Sequence, residues 1–250
     1  MRIAWHFAQN DIDAVRSIVA DHRNHVIVRD RIARNLSASK PAVDRQRFWR
    51  ALTMALLTTQ QPSGPRSAVT RFLAGKPYEL TYRRCTEISD VAAYVTDRLT
   101  TFGGIRRHGV IGSELSRNLA LLDDGLWPEL LERLASLRAP TTINHERSVA
   151  DFLHEKMFGL GPKQSRNLLL ALGLVRYEIP LDSRVGKWLR GIGFPVPVNP
   201  AALADRDYYC FALDGLQLLC AKADEYPCVV DGAVFASFDS EEWRDDLIQF

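Results

Sequence analysis

Apolar residues recur at three- and four-residue steps along most of the chain, which is the spacing of one face of an α-helix. This pattern predicts helices over residues 11–23, 44–61, 87–102, 113–122 and 127–137. Segments with the strict alternation of a half-buried strand are scarce, and short breakers rich in Pro or Gly separate the helical segments. The fold class that follows is all-α, with about ten short helices.

Polar residues that commonly cap helices stand near several of the predicted starts. They are Asp11, Asp44, Ser113 and Asn144. A side-chain oxygen at the N-cap accepts a hydrogen bond from a backbone N–H of the first turn that has no partner within the helix. We therefore expect these four residues to be N-caps.

The composition is typical of a globular protein. The chain has 250 residues, of which 46% are hydrophobic and 25% charged, so a sizeable core is expected. No run approaches the roughly 18 consecutive apolar residues of a membrane helix, and the first residues, MRIAWHFAQNDIDAVRS, lack the apolar core of a secretory signal. We expect a cytoplasmic protein without membrane contact, monomeric and built as one unit.

The four cysteines do not have the spacing of a metal site. Cys85, Cys210, Cys220 and Cys228 are separated by 125, 10 and 8 residues and form no CxxC pair. Buried, reduced thiols are therefore favoured over zinc or cluster ligands. No cofactor and no metal are expected.

Charge is distributed unevenly along the chain, although the net charge is only +2. Residues 1–110 hold 18 Lys and Arg against 9 Asp and Glu, whereas residues 111–250 hold 14 against 21. A basic surface neutralises phosphates, which is the sequence-independent part of nucleic-acid affinity. Arginine-rich helix faces are also common on proteins that bind no nucleic acid, so the charge alone does not decide the partner.

Residues 156–173, KMFGLGPKQSRNLLLALG, read as the end of one helix, a tight turn and a second helix. Gly159 and Gly161 remove side chains from the turn, and Pro162 suits the first position of a helix because its missing N–H costs nothing there. A helix N-terminus with free N–H groups can bind a DNA phosphate. The turn alone fits a plain helical hairpin equally well.

The stretch GLGPKQS resembles the helix-hairpin-helix of the DNA glycosylase superfamily that includes endonuclease III, MutY and the 8-oxoguanine glycosylases. Those enzymes place an aspartate at the start of the next helix, and in IPLDSRVGKWLRGIG this chain has Asp182, 19 residues after Lys163. The details of GPKQSRNLLLALG and PLDSR are most similar to the 8-oxoguanine branch. The four-cysteine loop of endonuclease III and MutY is absent from the sequence.

A second stretch, FWRALTMALLTTQQPSGPRSAVTRFL, is similar to the early helix of the superfamily that ends at the DNA-binding cleft. Gln60 and Gln61 stand where the family probes the extruded base or the space that it leaves; the alternative role is helix C-capping. The resemblance implies two helical subdomains with a cleft between them. A barrel over residues 44–175 ends in the hairpin, and residues 1–43 and 176–250 form the second subdomain.

The resemblance also implies roles for Lys163 and Asp182. Breaking an N-glycosidic bond builds positive charge on the sugar, which a carboxylate such as Asp182 stabilises. A neutral Lys163 amine attacks C1′ and forms a Schiff base, so that base excision is followed by strand cleavage. Without these roles, Asp182 is simply an N-cap and Lys163 a phosphate contact.

Pocket walls for an extruded base require aromatic side chains. The candidates are Trp5, Phe7, Trp49, Trp127, Trp188 and Trp243, and Trp49 and Trp188 lie on the helices that carry the motifs. The chain ends in an acidic segment with five acids over residues 239–246, which is a poor DNA-facing surface. Phe250 does not align with the terminus that recognises the base in the small archaeal enzymes, so the base stays open.

The expected function is a DNA glycosylase and AP lyase acting on double-stranded DNA with a damaged or modified base, of which 8-oxoguanine is one. Such an activity implies a nucleoid-associated protein. Two alternatives remain. One is a glycosylase for another modified base, including the bulky bases of phage DNA, in a defence role. The other is a non-catalytic helix-hairpin-helix module that only binds DNA.

Overall fold

The computed structural model describes residues 4–238 and Trp243. Within that part of the chain the secondary structure is entirely helical, so the predicted all-α class is confirmed. The α-helices are α1 Gln9–His22, α2 Val26–Asn35, α3 Arg45–Leu57, α4 Ala68–Ala74, α5 Tyr82–Thr86, α6 Val91–Phe102, α7 His108–Leu121, α8 Trp127–Ser136, α9 Ile143–Lys156, α10 Pro162–Ala171, α11 Ser183–Gly191, α12 Arg206–Lys222 and α13 Pro227–Phe238.

These thirteen helices of the described region exceed the expected ten because several are very short. Helices α4 and α5 have seven and five residues, too few to repeat a helical period clearly. A kinked turn at Leu122–Leu126 joins α7 to α8, and a 3₁₀ turn at Ala202–Ala204 precedes α12.

One of the four predicted N-caps is correct. Asp44 caps α3 and accepts a hydrogen bond from Arg47 N at 2.7 Å. Asp11 is instead the third residue of α1, where it accepts from the backbone N of Ala8 at 2.8 Å. An acid in the first turn looks like a cap in sequence because both positions serve the same unpaired N–H groups.

The other two predicted caps are wrong. Ser113 stands several residues after the start of its helix, and Asn144 stands two residues after the true cap. Ser113 lies inside α7, which begins after Arg107 in a left-handed conformation, a start that carries no polar cap signal. Asn144 is the second residue of α9, and Thr142 is its cap, accepting from His145 N at 3.2 Å.

Helix α3 lies at the centre of the structure. Phe48, Trp49, Leu52 and Leu56 on this helix are fully buried, and α3 packs against α5, α7 and α10. Helix α10 in turn packs against α9. Gln164 near the start of α10 donates to Ala55 O near the end of α3 at 2.6 Å, so these two helix ends lie together.

Helices from the two ends of the chain pack together. Helix α13 contacts both α1 and α2, and it also contacts α11 and α12. This arrangement brings α2 and α13 next to the segment that follows the hairpin. The boundaries at residues 43 and 175 remain predictions.

All four cysteines are buried and unpaired with one another, as expected for reduced thiols. In the described region, no helix is long and apolar enough to cross a membrane. The acidic residues at 239, 241, 242, 245 and 246, like Phe250, lie outside the described residues.

Candidate functional site

The hairpin turn between α9 and α10 is fixed by Gly159. Its φ is +80°, and a Cβ on this residue would lie 2.6 Å from the side chains of Leu56 and Glu114. Both the backbone conformation and the close packing therefore require glycine. Helix α7 adds a second constraint, because Asn118 donates to Phe158 O at 2.9 Å and accepts from Phe158 N at 2.8 Å.

Gly161 has a different reason to be glycine. It is the N-cap of α10, with φ −75° and ψ −179°, which any residue can adopt. A Cβ there would meet no atom within 4 Å. The fold does not need this glycine, and its missing side chain leaves the N-terminus of α10 open to an approaching group.

Lys163 is the second residue of α10 and lines a cleft of about 970 Å³. Burial lowers the pKa of its ammonium below the ordinary value, while Asp182 and Asp231 oppose the shift and Arg184 adds to it. Desolvation favours the neutral amine. The lysine is therefore closer to its nucleophilic form than a surface lysine is.

Asp182 is the N-cap of α11. Its Oδ1 accepts hydrogen bonds from Arg184 N at 2.8 Å and Val185 N at 2.9 Å. Its Oδ2 lies 3.6 Å from Arg184 Nη1, beyond hydrogen-bond distance. One oxygen thus fixes the carboxylate to the helix, and the side chain lines the same cleft as Lys163.

All six residues proposed from sequence line this single cleft. The cleft is at the upper end of the size range of small-molecule sites. Its predicted members are Gly159, Gly161, Lys163, Asp182, Gln60 and Gln61.

The two glutamines have different surroundings. Gln61 donates to Leu57 O at the end of α3 and accepts from Arg106 N at 2.8 Å, so its amide is engaged at both ends within the protein. Gln60 is exposed, with a left-handed φ of 57°. A non-glycine residue with positive φ is uncommon and often marks a functional position.

Sequence reasoning missed a second carboxylate in the cleft. Asp231 on α13 is 8% exposed, and its Oδ2 lies 3.5 Å from Arg31 Nη2 of α2. Burial raises the pKa of Asp231 to about 6; Arg31 opposes the shift and the charge of Asp182 adds to it. The available signal was one acid within the otherwise apolar α13 sequence PCVVDGAVFASF.

We expect Asp231→Asn to flatten the pH dependence of stability. The folded pKa of about 6 exceeds the ordinary 3.8, so the folded state binds this proton more tightly than the unfolded state does. The resulting stabilisation is complete below about pH 4 and is lost as pH rises through about 6, an effect of about 3 kcal/mol. The Asn side chain stays neutral at every pH, so the variant does not lose this stability as pH rises.

Urea unfolding of both proteins between about pH 4.5 and 7.5 measures the difference. The free energy of unfolding of the wild type should fall relative to that of the variant as pH rises. Parallel profiles would mean that Asp231 is ionised throughout this range.

Aromatic side chains from the end of the chain reach the cleft. Phe235 and Trp243 both line it, with ring centroids 5.7 Å apart, and Trp243 was among the candidates. Trp49 is instead fully buried and donates to Leu80 O at 3.1 Å. Trp188 packs against the hydrophobic core and does not line the cleft.

Two crystal structures are similar to this chain over most of its length. The 8-oxoguanine DNA glycosylase of Thermotoga maritima superposes with a TM-score of 0.63 at 14% identity, covering 93% of this chain and 98% of that one. The 8-oxoguanine DNA glycosylase of Methanocaldococcus jannaschii gives 0.65 at 12% identity, with coverages of 92% and 95%. The chain has the 8-oxoguanine DNA glycosylase fold.

The resemblance stated from the hairpin and PLDSR motifs is therefore confirmed for the fold. No protein-family profile and no curated protein sequence matches the chain. At identities of 12% and 14%, the glycosylase fold alone is shared, and the activity has to be argued from the residues of the cleft.

Proposed function

We propose that this protein is a DNA glycosylase with AP-lyase activity, acting on double-stranded DNA that contains a damaged or modified base. The proposal rests on one observation: Lys163 and Asp182 line the same cleft of a glycosylase fold. A desolvated amine and a fixed carboxylate are the two groups that displacement at C1′ requires.

In the proposed reaction, the neutral Lys163 amine attacks C1′ of the extruded nucleotide and the N-glycosidic bond breaks. The bonding electrons leave with the base, which takes up a proton, while the amine loses one. Asp182 stabilises the positive charge that develops on the sugar. Ring opening gives a Schiff base, and loss of a C2′ proton from it leads to β-elimination, in which the 3′ C–O bond breaks and the 3′ phosphate leaves with the bonding electrons.

The cleft offers a place for the extruded base. A base leaves the stack at an unfavourable energy that stacking on aromatic rings offsets. Phe235 and Trp243 face this cleft, and Arg184 lies over the Phe235 ring at 4.2 Å. We assign the pocket wall to these two rings.

We propose that the hairpin binds the DNA backbone. The open Gly161 and the N-terminus of α10 suit a phosphate, and the exposed Arg106 on the cleft adds positive charge. Gln60, rather than the internally bonded Gln61, is the residue that we propose enters the DNA.

Borohydride trapping tests the proposal. The protein is incubated with single-lesion duplexes, an abasic duplex and phage DNA with bulky modified bases, and borohydride reduces any Schiff base to a stable adduct. We expect a covalent complex with abasic DNA and with at least one modified duplex. Binding without excision or trapping on any of these would indicate the non-catalytic module instead.

We expect Gly161→Val and Gln60→Ala to separate affinity from discrimination. A Cβ at Gly161 would meet no atom within 4 Å, so we expect the fold to accept valine there, while the added side chain blocks the approach of a phosphate. Lesion and undamaged duplexes should therefore weaken alike, because phosphate contacts do not read the base. Gln60→Ala should instead reduce the preference for lesion DNA.

Binding isotherms at several salt concentrations measure both effects. A plot of log affinity against log salt concentration should have a slope of about −0.9 per phosphate contacted. Gly161→Val should make this slope shallower by about 0.9, the value for one lost phosphate contact. Gln61→Ala is the comparison for Gln60, because it removes an internal cap. Salt-independent binding, or a Gly161 variant defective only on lesion DNA, would contradict this assignment.

A further inference from the structure

Behind the cleft lies an arginine whose side chain is completely buried. Arg166 is on α10, one turn after Lys163, and its side chain has an exposure of 0%. Burying a guanidinium is expensive unless every part of it is paired, and an apolar side chain would be easier to accommodate. The contacts of Arg166 therefore call for a reason beyond stability.

The first contact of Arg166 is with the first turn of α10, which carries Lys163. Arg166 Nη1 donates to Pro162 O at 3.0 Å, the carbonyl immediately before Lys163. The guanidinium thereby ties its own position to the first turn of α10, from which the lysine projects.

The second contact is with the segment that leads to Asp182. Arg166 Nε donates to Glu178 Oε2 at 2.7 Å, and Glu178 is itself 0% exposed. The other oxygen of Glu178 accepts from Arg147 Nε and from Gln217 Nε2, each at 3.0 Å. Glu178 is thus held from three elements, four residues before the aspartate.

Tyr209 continues the connection. Arg166 lies over its ring at 4.8 Å, and its hydroxyl accepts from Leu181 N at 2.6 Å while donating to Ile179 O at 3.0 Å. Leu181 is the residue directly before Asp182. Arg166, Glu178 and Tyr209, which we call the buried relay, therefore connect the turn of the lysine to the backbone of the aspartate.

We infer that the buried relay is a positioning device that sets Lys163 and Asp182 relative to each other. This inference rests on the proposed function. The relay touches neither DNA nor either reacting side chain, so it acts through the backbone of residues 162 and 178–181. A misplacement of about 1 Å at a reacting group costs up to about a hundredfold in rate.

Two variants probe the relay at different points. Tyr209→Phe removes only the hydroxyl that holds residues 179–181, whereas Arg166→Met cuts the connection to both sides. Thr53→Val is the control, because it also deletes one buried hydroxyl, which donates to Trp49 O at 2.9 Å, without touching either segment.

We expect Tyr209→Phe to slow single-turnover excision about tenfold or more while DNA affinity and trapping on preformed abasic DNA stay at the wild-type level. Arg166→Met should reduce both excision and trapping. Thr53→Val should lose thermal stability but keep wild-type rates. If the three variants instead lost rate in proportion to stability, or if Tyr209→Phe kept the full excision rate, the inference would be wrong.

Amide hydrogen exchange at Leu181 gives a readout that needs no activity. Tyr209→Phe should accelerate it strongly, Arg166→Met to a lesser degree, and Thr53→Val not at all. A wild-type protein that traps no DNA would refute the proposed function, while exchange would still test the relay. Unchanged exchange at Leu181 in Tyr209→Phe would refute the relay. If Arg166→Met does not fold, Tyr209→Phe decides alone.

Discussion

Replacing Lys163 by Gln is expected to abolish borohydride trapping. An amide can occupy the space at the start of α10, but it has no lone pair basic enough to attack C1′ and cannot form a Schiff base. Burial already lowers the pKa of this lysine, so the neutral amine is accessible nearer to neutral pH than on the surface. The loss should be complete, with DNA affinity little changed.

Lys156→Gln is the matched control for this experiment. Lys156 is an exposed lysine in the last turn of α9, on the other arm of the same hairpin, and it does not line the cleft. Trapping by this variant should match that of the wild type. Adduct formation by Lys163→Gln would place the nucleophile on another amine.

The hairpin and its two catalytic candidates were accessible from sequence because their signals are local. Gly159, Pro162 and Lys163 stand within five residues, and Asp182 opens the next helix along the chain. A glycine with φ +80° and a proline at the start of a helix restrict the backbone wherever they occur. These local restrictions make the turn recognisable in the sequence, although Asn118 of α7 also helps to hold it in the folded protein.

Residues brought in by distant helices could not be found in this way. Asp231 is 68 residues from Lys163 in the sequence, and it reaches the cleft only because α13 packs against α2 and α11. Helix α13 is apolar on nearly all sides, so its pattern does not show which face is turned to the cleft. The same applies to Phe235, one turn further along.

The sequence also did not separate Gln60 from Gln61. Both end the same predicted helix, and only the backbone distinguishes them: α3 stops at Leu57, and Gln60 takes a left-handed φ. That turn sends the amide of Gln61 back to Leu57 O and to Arg106 N. One glutamine is consequently part of the scaffold, and the other is exposed.

Asp182→Asn is expected to reduce single-turnover base excision by about 10² or more, which is the typical loss on removing one preorganised electrostatic group. The fold should be retained, because Asn also caps helices and its Oδ1 can still accept from Arg184 N and Val185 N. The substitution removes only the negative charge that, in the proposed reaction, stabilises the sugar cation. A thermal melt recorded alongside the kinetics checks that the fold is retained.

Asp90→Asn separates the charge of Asp182 from its role as a cap. Asp90 is an exposed N-cap of α6 that accepts from Ala93 N at 2.9 Å and does not line the cleft. Both variants should show similar small changes in melting temperature, but only Asp182→Asn should lose excision. If Asp182→Asn excises at the rate of Asp90→Asn, the carboxylate of Asp182 serves only as a helix cap. Another group of the cleft must then stabilise the sugar cation, and Asp231 is the other carboxylate that we describe there.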